Sequence, residues 1–309
     1  MVKWAKEGVL MKFLLLYNPV SGRAKFKGHL KHIIKKFESA NLLLDIYESK
    51  APLDLKNKAA LESANYDVFL VGGGDGTVNE VVNGMMTSDK RPALAILPYG
   101  TANDIAAILG IPKNINRALR MFFKETPVCM DINKLNDKYF VYTFAAGIFT
   151  RVSYDVSRRK LKKYGYLAYL FEGMKDFMHD YRFDLSIDFD GNHMNNEYIF
   201  ALGMSSNRVD GMTLANLAKS KLNDGLIELR LFESRRRFRR FKVLSFFIRR
   251  GKKLREDVHL VANQYTIKTD PSVSWNVDGE LAAHGDIAVE VLKEQMLVYT
   301  SPKVKKKYF

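Results

Sequence analysis

Two hydrophobic periods alternate through the first third of the chain. A short apolar run at 12–17, closed by Asn18-Pro19, has the length and composition of a buried strand. Over about 24–40 the apolar residues Phe26, Leu30, Ile33, Ile34 and Phe37 recur at helical spacing. The alternation continues with a strand at 42–47, a helix at 53–64 and a strand at 67–71 that ends in glycines. A helix follows at 77–86, with Val78, Val81, Val82 and Met85 on one face, then a strand at 93–97 closed by Pro98. Two further helices are expected at about 102–109 and 114–123. This βαβαβαβα order predicts a mostly parallel sheet with helices on both faces. Such sheets bind ligands at the carboxyl ends of their strands, where the loops after Tyr17 and Val71 lie.

The pattern changes near Cys129. Strands are expected at 128–135 and 139–145, then a Lys/Arg-rich helical stretch at about 152–179. Strand patterns follow at 183–188, 196–204, 225–232, 264–269, 275–277 and 287–291. Strands at this density without crossover helices predict an antiparallel second domain, a sandwich or barrel. No Pro/Gly/Ser linker marks the boundary, which falls near residue 133. The chain shows no internal repeat, and its one low-complexity segment is the basic tail 303–307.

Composition narrows the classes. The chain has 309 residues, enough to bury a core without disulfide or metal staples. Its 47% hydrophobic and 27% charged content is that of a globular protein, not a disordered one. Cys129 is the only cysteine, so no internal disulfide forms, which fits a reducing, cytoplasmic setting. No apolar run approaches the ~18–20 residues of a membrane helix. The run Phe13-Leu14-Leu15-Leu16 is shorter than the ~7–15 residues of a signal-peptide core. Met11, just before the first strand, is an alternative start to Met1. Lys and Arg number 49 against 34 Asp and Glu, a net charge of +15. A protein this basic is drawn to nucleic acid, nucleotide phosphates or an anionic membrane.

The segment Val71-Gly72-Gly73-Gly74-Asp75-Gly76-Thr77 joins a strand to a helix. Glycines let backbone N–H groups close on a phosphate and permit positive φ angles. The helix that follows adds its N-terminal dipole. Thr77 is the expected N-cap, and Glu80 completes a capping-box pattern. Asp75 is placed to orient Mg²⁺ on the phosphates. The loop lacks the Gly-Lys-Ser/Thr ending of a P-loop and does not read G-x-G-x-x-G, which disfavours common ATPases and dinucleotide enzymes. Two more loops leave strand ends. Asn18-Pro19-Val20-Ser21-Gly22 runs on to Arg23 and Lys25, and Pro98-Tyr99-Gly100-Thr101-Ala102-Asn103-Asp104 follows the fourth strand. Each of these two alone is compatible with an ordinary turn.

Together the three loops resemble the nucleotide loops of the diacylglycerol-kinase catalytic family, in the order and spacing of the soluble bacterial lipid kinases. The resemblance continues through Asp131, Ala145-Ala146-Gly147, Leu222-Asn223-Asp224-Gly225 and Asn276-Val277-Asp278-Gly279-Glu280, and so covers nearly the whole chain. It implies an N-terminal α/β domain of phosphofructokinase type over 11–133, joined by a C-terminal return at 295–309. It further implies an all-β sandwich domain for the lipid at 134–294, with the active site between the domains.

The resemblance also assigns roles. It implies that ATP lies against Asn18, Pro19, Val20, Ser21 and Gly22, and against Gly74, Asp75, Gly76, Thr77, Val78, Asn79 and Glu80. Thr101 joins this set, with Ser49 where the family often has Thr. The family's general base corresponds to Glu280. A lipid hydroxyl is a poor nucleophile, and a positioned carboxylate accepts its proton as the bond forms. By itself, Val277-Asp278-Gly279-Glu280 is equally a hairpin turn. Mg²⁺ is expected with ATP, with Asp75 as the metal-linked carboxylate and Asp104 in its network. A second, structural Mg²⁺ is implied at Asp224 with backbone oxygens of Lys221 and Leu226. The stretch Leu217-Ala218-Lys219-Ser220 departs from the family pattern there, lacking a proline and running one residue longer. The likeness also implies a possible homodimer, for which the sequence holds no coiled-coil signal.

Much of the positive charge is local. Arg235, Arg236, Arg237, Arg239, Arg240, Lys242, Arg249, Arg250, Lys252, Lys253 and Arg255 crowd one segment. Phe238, Phe241, Leu244, Ser245 and Ile248 share one face of a helix through it. A basic amphipathic helix of this kind lies on an anionic bilayer, or packs its apolar face on the protein with the charges solvated. Arg158, Arg159, Lys160, Lys162 and Lys163 form a second basic cluster. The leading expectation is an ATP-dependent kinase forming phosphatidate from diacylglycerol, peripheral at the inner membrane face. The alternatives are a kinase of a sphingoid base or polyprenol, an NAD kinase, which shares the Gly-Gly-Asp-Gly-Thr loop, and a non-catalytic basic binder. No nucleic-acid motif supports the last.

Overall fold

The computed structural model describes residues 5–6, 9–21, 26–148, 181–209, 212–214, 221–235, 239–252 and 258–309. The chain divides into two compact units, Met1–Asp131 with Lys293–Phe309, and Ile132–Leu292. The helical stretch expected at 152–179, with its basic cluster Arg158 to Lys163, lies outside the described residues, as do Gly22, Arg23 and Lys25.

The first unit is built on parallel strands in the order Ala93–Pro98, Val68–Gly73, Phe13–Tyr17, Leu44–Glu48. The three strands Phe13–Tyr17, Val68–Gly73 and Ala93–Pro98 are buried at every position, as continuous apolar runs in a sheet covered on both faces are. Helices Lys27–Glu38, Asp54–Glu62, Asp75–Met85, Asp104–Ile108 and Ile115–Lys124 alternate with and follow them. Asn114 caps the last of these by accepting the Arg117 backbone N–H at 3.1 Å. Phe37, Phe122 and Tyr299 contribute to the packed core, with Phe122 and Tyr299 ring centroids 4.7 Å apart. Val298 pairs with Leu94 in parallel, so the strand Ile287–Val298 ends beside Ala93–Pro98. The segment read as a basic tail is a helix, Pro302–Tyr308, with Ser301 as its cap and Pro302 in its first turn.

The second unit is antiparallel. Strand Asn192–Met204 pairs with Phe183–Phe189, Thr143–Gly147 and Ile227–Glu233. Gln264–Lys268 pairs with Phe183–Phe189 and with the start of Ile287–Val298, and Val258–Ala262 pairs with Ile227–Glu233. The second half of strand Asn192–Met204, from Tyr198 on, is buried on both faces. Tyr198 and Ala201 enter a core with Phe144, Tyr265 and Trp275, whereas Ile199, Phe200, Leu202 and Met204 enter a second core with Phe232, Val243 and Phe246. The second core exists because helix Arg239–Ile248 covers that face, burying Val243 and Phe246 completely. Burial of two such side chains is worth roughly 1.5–3 kcal/mol each.

Four expectations need correction. The helix after the glycine loop starts at Asp75, capped by Gly74, and Thr77 is its third residue. The capping box therefore does not form. Glu80, at the sixth position, instead accepts the backbone N–H groups of Leu53 and Leu55 at the start of Asp54–Glu62, which has no cap from its own Leu53. The glycines at 72–74 do not take positive φ. The single strand expected at 139–145 is two, Lys138–Phe140 and Thr143–Gly147, because the backbone N–H groups between them turn to the Asp278 carboxylate. On the basic helix, the face of Phe241, Leu244 and Ile248 does not pack on the protein but is exposed, and Val243 and Phe246 form the buried stripe instead. Phe238 lies outside the described residues.

Candidate functional site

Within the first unit, the three loops leave the carboxyl ends of adjacent parallel strands. Tyr17 pairs with Gly72, and Gly73 with Pro98, so Asn18, Gly74 and Tyr99 begin their loops side by side. Asn18 N–H donates to Gly72 O at 3.1 Å, and Tyr99 N–H to Gly73 O at 2.7 Å. Ser49, at the end of the next strand, donates its N–H to Tyr17 O at 2.9 Å. The candidate nucleotide residues thus form a row along one edge of the sheet, where α/β sheets place their ligands.

The glycines serve close approach. A Cβ on Gly72 would lie 2.2 Å from the Phe26 ring, and one on Gly73 would lie 2.4 Å from the Thr77 side chain. A Cβ on Gly100 would stand 2.4 Å from Gly74 Cα. The glycine loop and the Pro98–Asp104 loop therefore touch backbone to backbone. Beneath them Phe26 stacks on Tyr17, with centroids 5.1 Å apart, and meets Tyr99 edge-on at 5.2 Å. Burial and the adjacent Glu48 push the Tyr17 hydroxyl up to about 12, and that hydroxyl donates to Glu48. Lys27, 2.7 Å from Glu48, is first among the groups that hold the Glu48 carboxyl below its ordinary value.

Helix Asp75–Met85 opens at this edge with no side-chain cap. Its first backbone N–H groups point out of the helix toward the loop, and its dipole favours an anion there. Ser21 Oγ and Thr77 Oγ1 lie 3.4 Å apart across the two loops. Asn18 Oδ1 accepts the Val20 N–H at 3.0 Å, which closes the first turn. The remaining residues are less alike. The Val78 side chain is buried core, so only its backbone faces the loop chemistry. Asn79 holds the Asn83 amide at 2.8 Å, and the Ser49 hydroxyl donates to Ala51 O at 3.1 Å. Thr101 is exposed on the wall of a cavity of about 400 Å³, together with His29, Tyr99, Asn103 and Lys113.

Asp75 is the electrostatic centre of this edge. Its Oδ1 accepts the Ile105 N–H at 2.9 Å, and the Asp104 and Asn103 N–H groups also donate to its carboxylate. Burial, with the charge of the neighbouring Asp104, raises its pKa above the ordinary aspartate value against the pull of those hydrogen bonds. Asp75 and buried Asp104 are hard oxygen donors beside the uncapped helix end, a donor set that fits Mg²⁺ carried on phosphates.

In the second unit, Asp278 and Gly279 form a two-residue turn with φ of 47° and 86°. The turn joins Ser274–Val277 to Glu280–His284, with Val277 paired to Glu280. The tetrad is therefore a hairpin turn, with Glu280 as the first residue beyond it. Asp278 is buried, and its two carboxylate oxygens accept the N–H groups of Val141, Tyr142 and Thr143 at 2.7, 3.0 and 3.1 Å. The hairpin is pinned by this side chain, and the next side chain beyond the turn, Glu280, is exposed. Asp-Gly was legible as a turn signal, but its anchoring role has no local signature, since Asp278 and Val141 are 137 residues apart.

The loop proposed for a second cation also closes on itself. Asp224 Oδ2 accepts the Lys221 N–H at 3.1 Å and Oδ1 the Leu226 N–H at 3.0 Å, with Gly225 at φ 77°. Both Asp224 carboxylate oxygens are thus taken by backbone N–H groups of the residues named for this site. The preceding residues Leu217–Ser220 lie outside the described residues. Among the described residues, no cluster of three or more His, Cys, Asp or Glu side chains forms a metal cage.

Comparison with known proteins identifies the family. Residues 12–135 match the family model of the diacylglycerol kinase catalytic domain. The chain is 33% identical over 273 residues to a diacylglycerol kinase of Bacillus subtilis (strain 168), covering 86% of this chain and 88% of that protein. It is 30% identical over 296 residues to a diacylglycerol kinase of Staphylococcus carnosus (strain TM300), covering 94% and 95%. A crystal structure of a diacylglycerol kinase from Bacillus anthracis str. Sterne superposes with a TM-score of 0.78 at 26% identity, covering 95% of this chain and 98% of that one.

Proposed function

This chain belongs to the diacylglycerol kinase catalytic-domain family and is a lipid kinase, and from that premise we propose that it transfers the γ-phosphate of ATP to the free hydroxyl of diacylglycerol, forming phosphatidate. The observation that carries this reading is the row of loops at Asn18, Gly74 and Tyr99 on adjacent strand ends, beside the uncapped helix Asp75–Met85.

In this reading the triphosphate lies against the backbone N–H groups that open Asp75–Met85, with the hydroxyls of Ser21, Thr77 and Thr101 as further donors. The glycine loop brings backbone dipoles near the transferred charge. Mg²⁺, when bound, neutralises phosphate charge, and Asp75 with Asp104 would hold it. Glu280 accepts the proton of the lipid hydroxyl as its oxygen bonds to phosphorus. The bond from phosphorus to the bridging oxygen breaks, and ADP leaves with that electron pair. Asp278 holds the hairpin from which Glu280 projects. Asp224 closes the loop assigned to a structural cation. The acceptor resides in a bilayer, so the enzyme works at a membrane surface. Among the described residues no helix is long and apolar enough to cross one.

Transfer of the labelled γ-phosphate of ATP to a panel of lipids in mixed micelles tests this reading. The panel holds diacylglycerol, sphingosine and undecaprenol with NAD as a control, and Glu280→Gln runs beside the parent. Labelled phosphatidate that disappears in Glu280→Gln is the expected result. Label on another lipid replaces the acceptor, and label only on NAD overturns the lipid reading.

A further inference from the structure

We propose that the stripe Phe241, Leu244 and Ile248 on helix Arg239–Ile248, with the basic side chains around it, is a docking surface for an anionic lipid bilayer. The proposal rests on the lipid-kinase reading for its purpose, since a lipid acceptor must be reached in the membrane. Its physical basis is separate and lies in the second unit alone.

The helix already has a core-facing stripe. Val243 and Phe246 are fully buried, and Phe247 is half-buried with its ring 5.9 Å from Phe200. Phe241, Leu244 and Ile248 are 61%, 37% and 72% exposed. At ~100° per residue, these three side chains fall within an arc of about 60° on the other side of the helix. Scattered exposed apolar residues are normal on a surface, but three aligned on one helical face are a patch.

Charge identifies the occupant. The same geometry places Arg240 on one flank of the stripe and Lys242 and Arg249 on the other, with Arg250 and Lys252 just beyond the helix. The segment 235–255 holds eleven Lys and Arg residues and no Asp or Glu, which is most of the +15 of the chain. A helix with an apolar face rimmed by Lys and Arg lies in the bilayer interface, with the apolar side chains in the acyl boundary and the cations at the headgroups. Each such cation adds roughly 1 kcal/mol near an anionic leaflet. A second copy of this chain would bring like charges face to face across a twofold interface. A nucleic acid would satisfy the cations but offers nothing to the aliphatic Leu244 and Ile248.

The test measures sedimentation of the full chain with vesicles of phosphatidylcholine, alone or mixed with phosphatidylglycerol. It compares the parent, Phe241→Ser/Ile248→Ser, and Arg240→Glu/Arg249→Glu/Arg250→Glu. Turnover of a short-chain diacylglycerol kept below its micelle concentration is followed in parallel. The parent should sediment with the mixed vesicles only. Each variant should partition roughly tenfold less or weaker still, while turnover of the dispersed substrate stays at the parental level. Unchanged partitioning of both variants overturns the proposal. So does loss in the charge variant alone, accompanied by parental binding of RNA by Phe241→Ser/Ile248→Ser, which would make the segment a general polyanion surface. A parent that sediments as expected but phosphorylates no diacylglycerol supports the surface and sinks the lipid-kinase acceptor instead.

Discussion

The carboxylate of Asp75 accepts the backbone N–H of Ile105 at 2.9 Å. That contact makes a residue of the glycine loop the cap of the next loop's helix. Helix Asp104–Ile108 begins after Asn103, which is left-handed at φ 54° and gives it no side-chain cap. Asn103 is engaged elsewhere, since its Oδ1 accepts the Gly100 N–H at 2.7 Å. One carboxylate therefore links the glycine loop to the Pro98–Asp104 loop.

Asp75→Ala should lower unfolding stability by about 1–2 kcal/mol, the worth of a helix cap, and weaken Mg·ATP binding. Chemical denaturation and nucleotide titration at several Mg²⁺ concentrations check both. Unchanged stability would remove Asp75 as the cap.

The raised pKa of Asp75 gives this effect a pH dependence. A carboxyl whose folded pKa is raised adds stability that is complete below its unfolded pKa of about 3.9 and is lost as pH rises through the folded value. The parent should therefore lose stability relative to Asp75→Asn as pH climbs from that range. Parallel denaturation curves across acid pH measure the difference, and a flat difference would refute the assignment.

Asp278→Ala strands three backbone N–H donors at Val141, Tyr142 and Thr143 in a buried site. A loss of about 3–5 kcal/mol is expected. Asp278→Asn keeps an acceptor oxygen and should cost less. Thermal unfolding ranks the two, and equal losses would mean that the charge, not the acceptor geometry, holds the hairpin.

Glu280→Gln should leave folding and nucleotide binding intact, because the side chain is exposed and belongs to the second unit. Phosphoryl transfer should fall by roughly 10²–10⁴, the usual worth of a general base. A single-turnover assay reads it, and full retention of rate would exclude Glu280 as the proton acceptor.

Gly100→Ala places a methyl 2.4 Å from Gly74 Cα, backbone against backbone, whereas Gly74→Ala meets Gly100 Cα at 3.0 Å. Gly100→Ala should therefore be the worse of the two, at about 1–3 kcal/mol, with a matching loss of ATP affinity. Calorimetric titration of both variants checks the order.

The periodic helices of the first unit, such as Ile115–Lys124, were legible because burial on one face forces a period into the sequence. The glycine loop was legible because close contacts with Phe26, Thr77 and Gly100 leave little room for a Cβ there. The strands Val258–Ala262 and Glu280–His284 were not, since their positions are mostly half-buried or exposed and carry little alternation. Two helix caps come from afar and were not legible. Asp75 serves Asp104–Ile108 and Glu80 serves Asp54–Glu62, and no local rule ties an acid to a helix 25 or more residues away.

The sequence by itself determined the class of fold, the glycine-rich strand-to-helix loop and the concentration of charge at 235–255, because composition and local period carry them directly. Only the tertiary structure decided which acid anchors and which acid is presented. Asp278 and Glu280 stand two residues apart with the same charge, but three backbone N–H groups converge on the first, while the turn leaves the second exposed. It likewise decided which stripe of Arg239–Ile248 is core. Phe241 and Phe246 are chemically identical, and what separates them is the hydrophobic cluster of Phe200 and Phe232 that one of them meets.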